Sequence, residues 1–348
     1  MRFWDIIILI IALIIIISCL YVILYAKNLK RSIKLRTLDA NVKRIELSKY
    51  PEKKLPWNPS IVEFDNKFII AYRLTHARLL TGTSQLGIIE MNKDTFEIQR
   101  EYVFPNVPKK QRNIHGYEDP RIFKYDGKIY VFAVVYTQLA IFNSCARIHL
   151  LEIDTVSMKI IKDLEIKTSY EDETQSQKNW TYLKPGNSNN EILAVVKVEP
   201  LTIISLNVET GENKKLSCVS CKKLKHKFKT LESKLIHGGT APIKLGEKDK
   251  YVAIAHTKTK GFGMKYGTIF YEFIEEGETY KITRFSNEFA VESKGPNMAD
   301  KIQMVIGMEH LNDKEVIITL GINDNDMFGI TFDKDKIEKL LDENIIDA

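Results

Sequence analysis

The sequence is poor in the features that announce several common chemistries. Four cysteines occur in 348 residues: Cys19 in an apolar N-terminus, Cys145 alone, and Cys218 with Cys221 as a single CxxC. That scatter excludes a disulfide framework. One CxxC also lacks the second ligand pair a zinc site needs, and His226 and His237 do not supply it in a recognised spacing. No glycine-rich phosphate loop and no metal-ligand set is present, so neither a metal nor an organic cofactor is expected. Net charge is +6, with part of the excess at Lys27–Arg36 and Lys222–Lys229. Aromatic residues do not interleave with these runs as single-strand binding requires, so nucleic acid is not an expected partner and the second run reads as a solvated loop. Helical periodicity is scarce too, being clear in the body of the chain only at Lys334–Leu341.

What is present begins with an apolar run. Residues Ile6–Ala26 carry no charge and are nearly all aliphatic or aromatic. As one helix such a stretch is long enough to cross about 30 Å of hydrocarbon, and it lacks the small-residue cleavage site of a signal peptide. It predicts a single-pass membrane anchor over 1–26 and a membrane as partner. The basic residues Lys27, Lys30, Arg31, Lys34 and Arg36 follow it. By the positive-inside rule they place the globular part on the cytoplasmic side, with a lumenal domain as the competing topology. Residues 27–54 read as a basic juxtamembrane stem, and 55–348 as the globular domain.

With 44% hydrophobic and 28% charged residues, that domain has the composition of a protein with a real core. Short segments rich in Ile, Val, Tyr and Phe recur between turn residues, which makes the body all-β. Five of these segments share one plan, a short polar or proline motif followed by a strand, a turn and a strongly hydrophobic strand. They start near Trp57, Tyr117, Lys178, His237 and Met308. Anchored at Pro59, Pro120, Trp180, Pro242 and Met308, they step by 61, 60, 62 and 66 residues. Steps of about 60 residues fit four-stranded blades, and the expected fold is an all-β, five-bladed β-propeller behind the membrane helix.

Taken alone, the second segment, YEDPRIFKYDGKIYVFAVV, is a hairpin around Asp126-Gly127 with a charged cluster at its entry. Exposed ion pairs are common and mostly of little consequence. In a propeller, however, equivalent loops converge on one end of a central channel. The leading motifs would then bring together Asn58, Glu118, Asp119, Arg121, Lys178, Asn179, Trp180, His237 and Glu309. The ends of the following strands would add Arg73, Lys197, Glu199, His256 and Asp324. Carboxylates to move protons, amides and cations to hold hydroxyls, and an indole to stack on a pyranose suit a sugar site. A channel plugged by structural salt bridges would also point polar residues inward.

Tyr117–Phe123, YEDPRIF, resembles the EDPR motif of the β-mannoside phosphorylases and related hydrolases of glycoside hydrolase family 130. NPSIVEFDNKFIIAYR, KNW, HGGTAPI and LGINDND resemble further segments of that superfamily, and together they cover roughly Trp57–Leu341. The resemblance implies a five-bladed propeller and a single-displacement reaction with Asp119 as general acid, acting through a sugar hydroxyl. Phosphate or water would attack the anomeric carbon from the other face, which makes inorganic phosphate a co-substrate. Glu118 and Arg121 would hold the loop or the sugar. Arg73, Lys178 and His256 match positions similar to ones that hold phosphate or sugar. A hydrolase would need a second carboxylate, for which Glu199, Glu309 and Asp324 qualify by position. The implied protein is a carbohydrate-active enzyme that cleaves or transfers a β-mannosyl-type unit. The alternatives are a glycosyltransferase-like enzyme acting on a membrane-proximal glycan, and a non-catalytic propeller that binds glycan or protein.

Overall fold

The computed structural model describes residues 7, 10–21, 36–39, 45–46, 54–76, 84–105, 113–140, 143–171, 175–229, 234–246, 249–259, 266–292, 303–322 and 326–346. Two short strands come first, β1 (Arg36–Asp39) and β2 (Ile45–Glu46). Four-stranded antiparallel units, or blades, then follow in chain order. The first is β3 (Lys54–Phe64), β4 (Lys67–His76), β5 (Ser84–Asn92) and β6 (Ile98–Val103). The second is β7 (Asn113–Tyr125), β8 (Lys128–Ala140), β9 (Asn143–Asp154) and β10 (Lys159–Ile166). The third is β11 (Thr181–Pro185), β12 (Glu191–Val198), β13 (Leu201–Asn207) and β14 (Asn213–Val219), followed by helix α1 (Lys222–Lys229).

The fourth contains β15 (Lys234–Gly238), β16 (Lys250–Thr259), β17 (Tyr266–Glu276) and β18 (Thr279–Phe285), with β19 (Phe289–Glu292) also paired to β17. The fifth has β20 (Gln303–His310), β21 (Glu315–Ile322) and β22 (Asp326–Asp333), and helix α2 (Lys334–Leu341) follows. Its fourth strand comes from the start of the chain, where β2 pairs antiparallel with β22. β1 pairs parallel with β19 of the fourth blade. The first and last parts of the domain are thereby tied together.

The packing makes a ring. Each of the five hydrophobic clusters lies between neighbouring blades: one and two around Ile88 and Val131, two and three around Phe132 and Ile192, three and four around Ile203 and Tyr271, four and five around Phe270 and Ile318, five and one around Ile70 and Ile317. Both faces of the middle strands are buried, which is why β8 and β12 read as continuous apolar runs rather than alternating ones. Polar contacts also close the seam between blades five and one. Thr319 donates to the Pro59 carbonyl at 2.6 Å, and the Glu63 N–H donates to Glu309 at 3.2 Å.

The membrane helix expected over 1–26 is corrected by this structure. The helical residues described there, 10–21, are mostly apolar and are exposed. Among the described residues no helix is long and apolar enough to cross a membrane. The membrane partner inferred from that run loses its support with it. The basic run Lys222–Lys229, expected as a solvated loop, is helix α1, which buries Leu224 and Phe228 and exposes most of its lysines.

Candidate active site

Three successive blades enter the centre of the ring in the same way. Asn58, Asp119 and Asn179 lie one repeat apart, and each has a left-handed backbone, with φ of 55°, 46° and 62°. Asn and Asp tolerate this region better than other side chains. In the first two blades the residue falls in a break of strand register, between Trp57 and Ser60 and between Glu118 and Arg121. Such bulges re-aim a side chain and occur often beside active sites. Here they turn Asn58 and Asp119 toward each other, and the Asn58 amide donates to Asp119 Oδ1 at 2.7 Å.

These residues open on a cavity of about 290 Å³. One wall comes from blades one and two. Arg73 organises it, donating to Glu118 at 2.7 Å and to Ser84 at 2.7 Å, lying 3.7 Å from Asp119 Oδ1, and resting 4.0 Å above the Trp57 ring. Burial pushes the Glu118 carboxyl up to about 7; Arg73 opposes that shift and the neighbouring Asp119 adds to it. The opposite wall comes from blades three and four: Lys178, Asn179, His237, His256, Lys258 and Tyr266, with Met304 of blade five beside them. Burial works against the charge of Lys178, yet a hydrogen bond to the Tyr136 hydroxyl and the nearby Asp119 and Glu118 hold its pKa above the ordinary lysine value. His237 and His256 face each other across β15 and β16 with ring centroids 5.3 Å apart. Burial lowers both pKa values, helped at His237 by Lys258 and Lys178 and at His256 by His237, Arg121 and Lys258. Burial thus favours the neutral form of both rings.

Of the residues singled out in the sequence, Asn58, Arg73, Glu118, Asp119, Lys178, Asn179, His237 and His256 line this cavity. Arg121 lies beneath it, 4% exposed, with one nitrogen donating to Asn179 Oδ1 at 2.9 Å and its Nε and Nη1 without a partner. Burial lowers its pKa to about 10 against the pull of Asp119. Trp180 does not join the site. It is fully buried between blades two and three, edge-on to Phe132, with its indole N–H donating to Gln177 at 3.3 Å. Glu309 is five residues along β20 from Met304, roughly 16 Å away, and accepts from the backbone of Glu63 and His310. Glu199 accepts from the Cys221 N–H at 2.8 Å and from the Ser220 hydroxyl. Lys197 is ion-paired with Glu171. Asp324 lies outside the described residues.

Four lining residues were not anticipated, Trp57, Lys258, Tyr266 and Met304. Trp57 precedes Asn58 as Glu118 precedes Asp119 and Lys178 precedes Asn179, so the repeat itself carried that signal. Lys258 lies two residues beyond His256 on β16, and so on the same face, and Tyr266 is its cross-strand partner.

No protein-family model matches the sequence, and no curated protein matches it. Solved structures do match, at low identity. A β-1,2-mannobiose phosphorylase from Listeria innocua, in complex with β-1,2-mannobiose, is 11% identical with a TM-score of 0.56, over 90% of this chain and all of its own (100%). A glycoside hydrolase family 130 structure, from a family of mannoside phosphorylases that contains hydrolases targeting β-1,2 mannosidic linkages in Candida mannan, is 14% identical with a TM-score of 0.57, over 86% and 93%. A GDP-Man-dependent mannosyltransferase from Leishmania mexicana is 13% identical with a TM-score of 0.52, over 88% and 92%. The likeness is one of fold. This chain has a propeller of the glycoside hydrolase family 130 kind.

Proposed function

We propose that this protein is a carbohydrate-active enzyme of the glycoside phosphorylase and hydrolase type, moving a β-mannosyl-type unit between a sugar hydroxyl and phosphate. The observation that carries this reading is the division of the cavity, with Asp119 on one wall and Lys178 and Lys258 on the other. A glycosyl unit held between them would meet a proton donor on one side and an anion site on the other. Charge-assisted hydrogen bonds from lysine suit phosphate, and neutral His237 and His256 can add uncharged donors.

In the reaction a phosphate oxygen attacks the anomeric carbon from the lysine wall as the glycosidic C–O bond breaks. The departing oxygen takes a proton delivered by Asp119 through a sugar hydroxyl. The proton that the phosphate gives up on becoming an ester restores Asp119. Water in place of phosphate would require a base, and the lining carboxylates, Glu118 and Asp119, are adjacent on the same wall. Of the positional candidates for that base, Glu199 and Glu309 do not line the cavity and Asp324 lies outside the described residues. Among the described residues the anion is therefore the better-supported acceptor. The likeness to a GDP-Man-dependent mannosyltransferase favours one further reading, in which the lysine wall takes the diphosphate of a sugar donor.

The test is to incubate the protein with β-mannobiosides, with and without inorganic phosphate, and to follow mannose 1-phosphate. Phosphate-dependent formation of the ester that disappears in Asp119→Asn is the expected result. Turnover that survives in Asp119→Asn, or the absence of turnover from mannobiosides, mannose 1-phosphate and GDP-mannose alike, would overturn the reading.

A further inference from the structure

The strand that carries Glu118 and Asp119 to the cavity has little backbone support where it arrives. Tyr117 and Glu118 are two ladder positions of β7, opposite Val135 and Val134. Register breaks on both sides of them, between Asn113 and Tyr117 and between Glu118 and Arg121. Just ahead, Gly116 meets β5 of blade one with φ of 78°, so close that a Cβ there would lie 2.1 Å from the Ser84 carbonyl oxygen. Two rungs between two irregularities specify register weakly, and a one-residue slip would turn Glu118 to the other face.

The side chain of Tyr117 adds support from elsewhere in the blade. Its hydroxyl donates to Asp163 Oδ2 at 2.6 Å, and Nδ1 of His149 lies 2.6 Å from Asp163 Oδ1. Asp163 stands on β10 and His149 on β9, so the phenol ties the innermost strand of blade two to its outer two. Tyr117 and His149 are buried, their rings edge-on with centroids 6.5 Å apart, while the Asp163 side chain is 33% exposed. Burial, with the bond to Asp163, raises the Tyr117 pKa well above the usual tyrosine range, which keeps the hydroxyl a donor. An ionised Asp163 accepts on both oxygens, from Tyr117 and from the Nδ1–H of His149, and both bonds are charge-assisted. Nε2 of His149 is buried with no hydrogen-bond partner among the described residues, so the hydrogen bonding of the ring runs through Asp163.

We infer that His149 and Asp163 are positioning residues, acting through Tyr117 to hold Glu118 and Asp119 in place on the cavity wall. Their effect on rate rests on the reading of Asp119 as the general acid. None of the three lines the cavity. Tyr117 and Glu118 leave the strand on opposite faces. A phenol pinned in the packing between blades one and two therefore fixes the face from which Glu118 emerges and the start of the bulge that aims Asp119. A displacement of about 1 Å at a reacting group can cost about 10²-fold in rate, so hydrogen bonds well outside the cavity are felt in catalysis.

The experiment compares Tyr117→Phe, which removes only the hydroxyl, with His149→Leu and His149→Asn, the last of which keeps an N–H near the place of Nδ1. Amide hydrogen exchange of residues 116–122, followed by mass spectrometry, reads how the segment is held without any need for turnover. Steady-state kinetics with varied phosphate read the effect on the reaction. Tyr117→Phe and His149→Leu should each speed exchange in 116–122 about tenfold and lower kcat about tenfold, as the loss of one hydrogen bond to a charged group gives. KM for phosphate should stay within about twofold, because the lysine wall belongs to blades three and four, and His149→Asn should restore both exchange and kcat. Exchange in 116–122 that is unchanged in Tyr117→Phe and His149→Leu, or raised equally in every blade, overturns the inference. Faster exchange there with kcat unchanged in an active protein overturns it too. Absence of turnover in the unaltered protein, with the local exchange response present, overturns the catalytic reading and supports the network as what holds the segment.

Discussion

The two walls of the central cavity are built from similar residue types and held in opposite ways. On the side of blades one and two, Arg73 joins Glu118, Ser84 and Trp57, and Asn58 fixes Asp119, so the charged groups are bonded to one another before any ligand arrives. On the side of blades three and four, Lys178 leans on a tyrosine hydroxyl, Lys258 lies 5.6 Å from the Tyr266 ring, and neither is ion-paired with a described residue. The first arrangement orients a carboxylate at a cost already met within the fold. The second leaves its lysines without a direct ion pair in a site partly withdrawn from water, with Asp119 and Glu118 near Lys178, and there an incoming anion would be strongly held. Arg73, which the resemblance placed among positions that hold phosphate or sugar, is here joined to Glu118 and Ser84 and lies over Trp57 in the wall facing the lysines.

The sharpest way to break this comparison is at Asp119. Asp119→Asn keeps the size of the side chain and an oxygen able to accept from Asn58, but removes the transferable proton. General acid catalysis contributes about 10²–10⁴-fold, so kcat should fall by that order while the protein stays folded and still binds sugar. Steady-state kinetics on the phosphorolysis reaction measure the fall. A loss below about tenfold would mean that the orienting wall is only structural.

Arg73→Met tests whether that wall is organised by its arginine. The substitution leaves Glu118 and Asp119 as neighbouring carboxylates without their cation. Breaking a buried pair costs about 3–5 kcal/mol, and the partial exposure of this one places the expected loss near the lower end, about 3 kcal/mol. Denaturant unfolding reads it. Lys178→Met, on the other wall, should barely alter unfolding. It should raise KM for phosphate about tenfold, the loss expected for one charge-assisted hydrogen bond, with a smaller change in KM for sugar. If Lys178→Met is the more destabilising of the two, the division between a preformed and a receptive wall is wrong.

How much of this was legible depended on repeat position. Asn58, Asp119 and Asn179 could be placed together because each opens a blade at the same step, and repeat spacing survives when side-chain contacts are unknown. Trp180 was misplaced by one residue. It follows Asn179 on the way into β11, and a one-residue step along a strand reverses the face, so the indole enters the core between blades two and three while Asn179 reaches the cavity. The aromatic residue at the site is Trp57, which occupies the repeat position of Glu118 and Lys178. Glu199 and Glu309 carry the right chemistry but are held by backbone N–H groups that no side-chain pattern reveals. The membrane helix read from the run Ile6–Ala26 rested on hydropathy alone, and among the described residues no helix is long and apolar enough to cross a membrane.

The most gradual expected effect is a pH dependence of stability that belongs to one wall only. Glu118 is raised from an ordinary value of 4.5 to about 7, burial being the largest cause. Between those limits the folded protein keeps a proton that the unfolded chain has released. Linkage then makes stability fall as pH rises through that window, with no penalty below about 4.5 and the full penalty above about 7. The slope from a single group is at most ~1.4 kcal/mol per pH unit. In Glu118→Gln the group no longer titrates, so the difference in unfolding free energy between the unaltered protein and the variant should drift steadily from pH 5 to pH 7 and then level off. Lys178→Met should show the same drift as the unaltered protein, shifted slightly upward in pH because Lys178 also stabilises the Glu118 carboxylate. A difference that stays constant from pH 5 to pH 7 would mean that Arg73 keeps Glu118 ionised throughout. The preformed wall would then be a fixed ion pair in which Glu118 never takes up a proton near neutrality.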